Sequence, residues 1–419
     1  MNRTDADPFD VTVRLAALLL RSSGEGVVML ERYVARVSHA FGADIELLVL
    51  PEQVMVTDTG TGASSRVAVV KTTPGLSRLD QVMDLKVLVS DIEQGLSVSD
   101  ASRRLEAIEA GPPQWPRWLR VVGVVLFTAG FAPSVVATAG EVVATVLLGT
   151  VMGVLLVSLE GRRFEALVPF IGAFLLTVIA AVFLSDLVSR TGVVLVVVPA
   201  LFVVVPGDYL SAAAGELIGG RIAAGATRLI YAAFVLALLV VGIAAAAEIT
   251  GGEDLLTETP VTPNLPFIAV VLAWIPFSIG LVLAFNATLK ALPWLIPTVI
   301  GTYLIQQGAT RLVGDITGTL LAGIALGTVA GIASRPANRP PRLVLVLGGF
   351  FVLTVGGLGL RGATALLGDD IISGFGDLRD FLVQMPTVAI SLAIALIATD
   401  RQHPRHPLDR GPGPVGASG

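Results

Sequence analysis

The spacing of hydrophobic and polar residues changes near residue 117. Before that point the apolar positions follow helical and strand periods. They predict two amphipathic helices within residues 11–41 and three strands in the segments ADIELLVLP, QVMVTDTG and SRVAVVKTTPG. Helices are predicted again at about 79–95 and 100–110. The sequence therefore predicts a small α/β domain, ending in a Pro-rich linker, over residues 1–116.

After the linker come ten apolar runs, each about as long as a membrane-spanning helix needs to be. They lie near residues 118–139, 142–158, 167–187, 193–213, 229–247, 267–286, 292–309, 316–333, 343–360 and 380–398. Adding 150 to the first five starts gives 268, 292, 317, 343 and 379, which match the second five starts within one residue. Five spans per repeat is an odd number, so the second repeat inserts upside down. We therefore predict an α-helical integral membrane protein with two inverted five-helix repeats, residues 117–250 and 251–400.

The fourth span of the first repeat contains a predicted helix break. The run from Leu195 to Gly225 is interrupted by Pro199 and then by Pro206-Gly207, and proline removes a backbone donor and clashes with the preceding turn. Such a break is tolerated at membrane depth only where protein or a water-filled cavity meets the freed backbone groups. At the 150-residue offset, Gly356-Gly357 takes the corresponding place in the second repeat. Broken helices of this kind line the substrate sites of secondary transporters.

Composition supports a membrane protein and excludes several kinds of site. Hydrophobic residues make up 54% of the 419 positions and charged residues 15%, below the roughly 25% charged residues of soluble proteins. The chain has no cysteine, and inside the membrane it has no pair of histidines at metal-ligand spacing, so we expect neither a metal nor a cofactor. It also has no Walker-type loop, which leaves ion coupling as the default energy source. The net charge of −5 gives no indication of nucleic-acid binding.

Basic residues in the loops predict the orientation, because cytoplasmic loops carry an excess of Lys and Arg. With the N-terminal domain inside, the loops on that side contain Arg162, Arg163, Arg221, Arg228, Lys290, Arg335, Arg339 and Arg342. The opposite loops are mainly acidic, with Arg190, Arg311, Arg361 and Arg379 as exceptions. We predict that both termini are cytoplasmic and that the Pro/Gly-rich tail, residues 401–419, is disordered.

Four acidic residues near the membrane are candidates for ion or substrate binding. Asp208 and Glu216 flank the broken helix, eight residues apart, where they could bind a cation or proton beside a polar substrate. The alternative is a solvated loop with Arg221 as their partner, and the sequence does not decide between the two. Glu165 and Asp315, 150 residues apart, open the third span of each repeat. There the helix dipole alone explains an acidic residue.

Two further features have both a functional and a structural interpretation. Asn286 could hydrogen-bond a substrate, although a bridge between neighbouring helices is the favoured alternative. Glycines four residues apart, as at Gly149 and Gly153, permit close packing of helices within the chain. The same small-residue surfaces would permit a homo-oligomer.

These segments resemble the threonine/serine exporter family, from about residue 13 to residue 399. The N-terminal resemblance lies in LLRSSGEGVVMLERYVARVSHAFGADIELLVLPEQVMVT. The membrane resemblance lies in a PG motif followed by an acid and a spaced glycine, here Pro206-Gly207, Glu216 and Gly225. Glu216 stands where the family usually has aspartate, and Gly356-Gly357 stands where it usually has a second PG. The resemblance implies a protein that is not an enzyme. It would export threonine and serine across the bacterial cytoplasmic membrane, driven by the proton gradient.

We hypothesise that the two broken helices meet near the midplane and receive the carboxylate and ammonium groups of the substrate. Glu216 or Asp208 would alternate between protonated and ionised states as access switches, as an antiporter requires. Two alternatives stay open. One is export of small dicarboxylates such as succinate, which the resemblance to two-component relatives implies. The other is a membrane-tethered enzyme or sensor acting through residues 1–116, although an anchor needs no paired helix breaks.

Overall fold

The computed structural model describes residues 7–22, 26–50, 53–60, 66–71, 78–136, 138–188, 192–251, 265–353 and 371–399. Within these ranges the chain forms an N-terminal α/β unit and a bundle of apolar helices, each with its own hydrophobic core. Each core includes one residue from the other part of the chain. Leu79 of the α/β unit belongs to the core of the helical bundle, and Ala224 of the bundle belongs to the core of the α/β unit.

The described part of the N-terminal unit combines helices with an antiparallel sheet in the order β1-β2-β3. Its elements are α1 (Pro8–Ser22), α2 (Val27–Phe41), β1 (Ile45–Leu50), β2 (Gln53–Asp58), β3 (Arg66–Lys71), α3 (Leu79–Glu93) and α4 (Val98–Ala110). The three predicted strands are confirmed. α2 ends at Gly42, which takes the left-handed conformation with φ of 65°. α4 begins after Ser97, whose side chain accepts the N–H of Asp100 as an N-cap.

One face of the sheet packs on the helices, and the other is open. Val54 and Val56 on β2 are fully buried, as alternation along a strand dictates for residues two apart. The opposite face carries Leu48, Val67 and Val69, which are all more than half exposed. The unit is therefore a two-layer arrangement with its helices on a single side of the sheet.

The helical bundle begins directly after the linker. Its helices are α5 (Arg117–Phe131), α6 (Ala139–Leu159), α7 (Val168–Phe183), α8 (Gly192–Leu201), α9 (Gly207–Ile218), α10 (Ile222–Thr250), α11 (Phe267–Ala284), α12 (Leu292–Val313), α13 (Asp315–Ala333), α14 (Arg342–Val352) and α15 (Ile371–Thr399). Among the described residues, six helices are long and apolar enough to span a membrane, or seven if the bent pair α8–α9 counts as one. The prediction of a multi-pass helical membrane protein is confirmed. Ten spans and their inverted arrangement stay predictions.

The broken pair α8–α9 lies inside this bundle. α8 packs against α6 and α7, whereas α9 packs against α10, α14 and α15. α5 and α11 run side by side in opposite directions, since Gly123 approaches Ala284 whereas Gly130 approaches Phe277. The broken helix thus contacts helices from both ends of the membrane part of the chain.

Candidate functional site

The helix break predicted at Pro206-Gly207 is present. α8 ends at Leu201, a 3₁₀ turn covers Phe202–Val204, and α9 leaves at an angle of 68° to the preceding piece. Pro206 has ψ of 61°, outside the helical range, and it lacks the N–H that would continue the helix. The interruption expected at Pro199 is absent, because α8 continues through that residue and ends two residues later. The change of direction is therefore made at Pro206.

Aromatic side chains surround the start of α9 within the described residues. The ring of Phe202 stacks on Phe131 at 4.3 Å between centroids, and Phe351 lies 5.6 Å from Phe202. A Cβ atom on Gly207 would lie 3.3 Å from the ring of Phe350, so glycine lets α9 approach α14 closely. The second predicted break, Gly356-Gly357, lies outside the described residues. A meeting of the two breaks therefore stays a prediction.

Glu216, in the last turn of α9, is buried against the N-terminal unit. Its side chain is 2% exposed, and its Oε1 accepts the backbone N–H of Val27 at 2.9 Å. Oε1 also lies 3.2 Å from Nε of Arg228, which is itself buried. Val27 is the first residue of α2, so the carboxylate sits at the positive end of that helix dipole. Its other oxygen, Oε2, is buried, and no group of the described residues hydrogen-bonds to it.

The local backbone explains this approach. Gly26, next to Val27, has φ of 82°, a conformation that glycine adopts without strain. A Cβ atom there would lie only 3.1 Å from Oε1 of Glu216. Glycine at this position therefore serves both the turn into α2 and the close contact with the carboxylate.

Arg221 does not pair with Glu216, contrary to the expected alternative of a solvated loop. Its guanidinium instead forms a bidentate ion pair with the carboxylate of Glu31 on α2, in which Nη1 donates to Oε1 at 2.5 Å. The reason is the reversal of the chain after α9 at Gly219-Gly220, where Gly220 has φ of 75°. The reversal points Arg221 outward to α2 and brings Arg228, in the second turn of α10, to Glu216.

Gly225 lies where α10 crosses α9. A Cβ atom at this position would lie 2.7 Å from the side chain of Leu217 and 3.0 Å from the carbonyl oxygen of Ala213. The spaced glycine of the PG motif region therefore permits the two helices to pack closely. That packing is what places Arg228 beside Glu216.

Asp208 lies in the first turn of α9, at the opposite end from Glu216. Its Oδ1 accepts the backbone N–H of Tyr209 at 2.9 Å. Eight residues of helix separate the two acids, which is about 12 Å along the axis. They therefore do not form one carboxylate pair. Tyr209 connects the two ends, since its ring lies 5.7 Å from the guanidinium of Arg228 and 4.7 Å from the ring of Tyr231.

The remaining candidates lie at chain turns. Glu165 accepts the N–H of Gly161 at 2.7 Å in the loop before α7, and Asp315 is the exposed first residue of α13. Asn286 follows α11 with φ of 55° and is buried. Its Oδ1 faces the N–H of Trp115 at 3.4 Å. In this structure Asn286 thus joins the linker to the end of α11.

The partners of Glu216 are absent from the sequence predictions. The loop charges place Arg228 only in a basic loop, although an arginine in the second turn of an apolar helix is itself a sign of a buried partner. The contribution of Val27 could not be read from a pattern, since it is a backbone N–H. Among the described residues, no three His, Asp or Glu side chains come together as a metal site would require. The arrangement instead offers a buried carboxylate oxygen that can accept a proton or an ammonium hydrogen.

One comparison with known proteins gives a match. The model of a family described as "Putative threonine/serine exporter" matches residues 10–250, which are 241 of the 419 residues. The match therefore covers the N-terminal unit, the broken helix and Glu216. No curated protein and no solved structure matches the chain.

Proposed function

The chain belongs to the threonine/serine exporter family, and from that premise we propose that it exports threonine and serine in exchange for protons. Membership of a transporter family also favours transport over a membrane-tethered enzyme. The proposed location is the bacterial cytoplasmic membrane, with both termini on the cytoplasmic side. In this proposal the N-terminal domain covers residues 1–116, and the cytoplasmic tail covers residues 401–419.

We further propose that the membrane part consists of two inverted repeats, residues 117–250 and 251–400, with ten spans. The starts of helices α5 to α8 and α10 are 117, 139, 168, 192 and 222. Adding 150 gives 267, 289, 318, 342 and 372, and α11 to α15 start at 267, 292, 315, 342 and 371. The agreement within three residues supports the proposal. The counterpart of α9, at positions 357–368, lies outside the described residues.

Contacts between α5 and α11 support the inversion. A Cβ atom on Gly130 would lie 2.3 Å from the backbone N of Phe277, and one on Gly280 would lie 2.1 Å from the backbone N of Phe127. Gly280 is Gly130 plus 150, and Phe277 is Phe127 plus 150. Reciprocal contacts of this kind are produced by a twofold axis. Because the two helices are antiparallel, that axis is perpendicular to them and thus lies in the membrane plane.

The observation that carries the coupling proposal is the buried carboxylate of Glu216. Its charge faces Arg228 at 3.2 Å, and within the described part of the chain Oε2 has no hydrogen-bond partner. Removing one member of a buried ion pair leaves the other charge uncompensated, which costs about 3–5 kcal/mol. Binding a proton at Glu216 would therefore change the packing of α9 on α10. This is a way to link proton binding to movement of the broken helix.

Efflux of preloaded, labelled substrate tests the proposal. Cells or vesicles containing the protein should release threonine and serine, and an uncoupler should reduce the release. Glu216→Gln should abolish the gradient-driven part while the protein stays in the membrane, with release expressed per amount of protein in the membrane. Glu248→Gln, an exposed acid on α10, is the matched control and should keep full efflux. Gradient-driven efflux that survives in Glu216→Gln would exclude Glu216 as the coupling residue.

Succinate is included as a third substrate in the same assay. Release of succinate without release of threonine or serine would show that the substrate class is a dicarboxylate. Release of none of the three would contradict the proposed export. It would favour the alternative of a membrane-tethered enzyme or sensor that acts through the N-terminal domain.

A further inference from the structure

In the described part of the chain, the N-terminal domain is attached to the broken helix at the turn between α9 and α10. Three contacts meet at the turn between α9 and α10: Glu216 accepts the N–H of Val27, Arg221 pairs with Glu31, and Ala224 is buried in the core of the N-terminal domain. The side chains of Arg221 and Glu31 are about one third exposed, at 36% and 31%. We call these three contacts the α2 attachment.

A second set of contacts joins the same domain to the second half of the membrane part. Nζ of Lys86 donates to the carbonyl oxygens of Ser334, Pro336 and Arg339 at 2.6, 2.9 and 2.9 Å. These carbonyls follow α13, where the negative end of the helix dipole favours a cation. The N–H of Leu79 donates to Phe285 at 3.3 Å. We call this set, together with the contact between Met83 and Thr288, the α3 attachment.

The N-terminal domain is therefore fastened to both halves of the membrane part, on the face of the bundle that it covers. Helices α2 and α3, which carry the two attachments, share the core of the N-terminal domain. Inverted-repeat transporters switch access by rocking one repeat or bundle against the other. While both attachments hold, the two halves cannot separate on this face.

We propose that the N-terminal domain is a clamp on the transport cycle, held permanently by the α3 attachment and released at the α2 attachment. This rests on the proposed export function. The two attachments differ in ways that assign these roles. The α3 attachment holds a buried lysine in a three-carbonyl cradle, and the linker beside it bonds Trp115 to Ala287 at 2.9 Å. The α2 attachment has two polar contacts at a glycine turn: the buried bond from Val27 to Glu216, and the partly exposed ion pair of Arg221 with Glu31.

Cysteine pairs test the clamp, because the chain contains no cysteine of its own. The pair E31C/R221C is joined across the α2 attachment with a short, reducible bifunctional thiol reagent in vesicles loaded with threonine. Efflux should fall in proportion to the fraction of cross-linked protein and return after reduction. The pair R36C/E93C is the matched control, since Arg36 and Glu93 form the same kind of ion pair within the N-terminal domain. The pair M83C/T288C spans the α3 attachment, and cross-linking either of these pairs should leave efflux unchanged.

Full efflux from cross-linked E31C/R221C would overturn the clamp. A loss of efflux on cross-linking M83C/T288C would overturn the assignment of the releasing side.

Spin labels on the same E31C/R221C pair give a readout that does not depend on flux. A released clamp should add a second, longer distance, whereas labels on R36C/E93C should keep one distance. A single short E31C/R221C distance under all substrate and gradient conditions would refute the clamp. Absent efflux with two distances would instead refute only the proposed export.

Discussion

Alanine at Gly130 or Gly280 should destabilise the membrane part by the same mechanism and to a similar degree. In both cases the added methyl group would meet a backbone nitrogen of the partner helix, at 2.3 Å for Gly130 and 2.1 Å for Gly280. Ordinary van der Waals contact begins at 3.4 Å, so the shortfalls are 3.4 − 2.3 = 1.1 Å and 3.4 − 2.1 = 1.3 Å. A backbone atom cannot rotate away as a flexible side chain can. The helices α5 and α11 must therefore move apart.

The magnitude follows from the cost of overpacking, which is about 1–3 kcal/mol for added methyl groups in a close-packed core. Separation of the helices would also loosen the packed rings of Phe127 and Phe277, whose centroids are 4.7 Å apart. By the scaling for domains of 150–250 residues, this cost lowers the melting temperature by roughly 2–12 °C. The two substitutions touch the same contact surface, so their combined effect should differ from the sum.

Thermal unfolding of detergent-solubilised protein, followed by size-exclusion chromatography of a fluorescent fusion, measures the effect. Gly308→Ala is the matched control. This glycine lies in helix α12, and no atom of the residues that the structure describes lies within 4 Å of an added Cβ. There alanine should leave stability unchanged or raise it by about 0.5–1 kcal/mol through helix propensity. Melting temperatures of Gly130→Ala and Gly280→Ala equal to that of Gly308→Ala would refute the close approach of α5 and α11. A loss at one site alone would count against the twofold relation.

Two further substitutions test the contacts of the N-terminal domain and the broken helix. Lys86→Met should lower thermal stability by about 1.5–3 kcal/mol, the scale of a hydrogen bond to a charged group, because three carbonyls lose their donor. Lys71→Met, at an exposed strand end, should have no such effect. Arg228→Met should destabilise by about 3–5 kcal/mol because Glu216 is left as an unpaired buried charge. The double variant with Glu216→Gln should recover part of that loss, and additive losses in thermal melts would contradict the pair.

Much of the fold could be predicted because its determinants are local. Alternation along QVMVTD buries Val54 and Val56, and the missing N–H of Pro206 breaks the fourth span wherever the rest of the chain lies. The apolar runs likewise located the helices, since membrane length is a property of consecutive residues. Exact ends were less certain: α8 and α9 are separate helices within the one predicted run at 193–213, and α9 continues beyond that run to Ile218.

The candidate site was harder to predict because it depends on contacts between distant segments. Arg221 is nearer to Glu216 in sequence, yet Arg228 is its partner and Glu31 takes Arg221. The glycine turn after α9 determines which arginine pairs with which acid. The direction of that turn cannot be predicted from the spacing of apolar residues. The bond from Val27 crosses 189 positions of sequence and uses a backbone group, which carries no side-chain signature.

The position of Glu216 gives one carboxylate two tasks, and the amide variant separates them. As the proposed proton carrier, Glu216 needs its charge, which faces Arg228. As part of the α2 attachment, it needs only an acceptor oxygen for the N–H of Val27. Glutamine keeps such an oxygen and loses the charge.

If the two roles are separate, Glu216→Gln loses gradient-driven efflux, while spin labels on E31C/R221C keep the short distance of the attached state. Glu216→Ala removes both groups, so it should shift that distance distribution toward the longer value as well. Identical distributions in the two variants would show that the bond to Val27 does not hold the clamp.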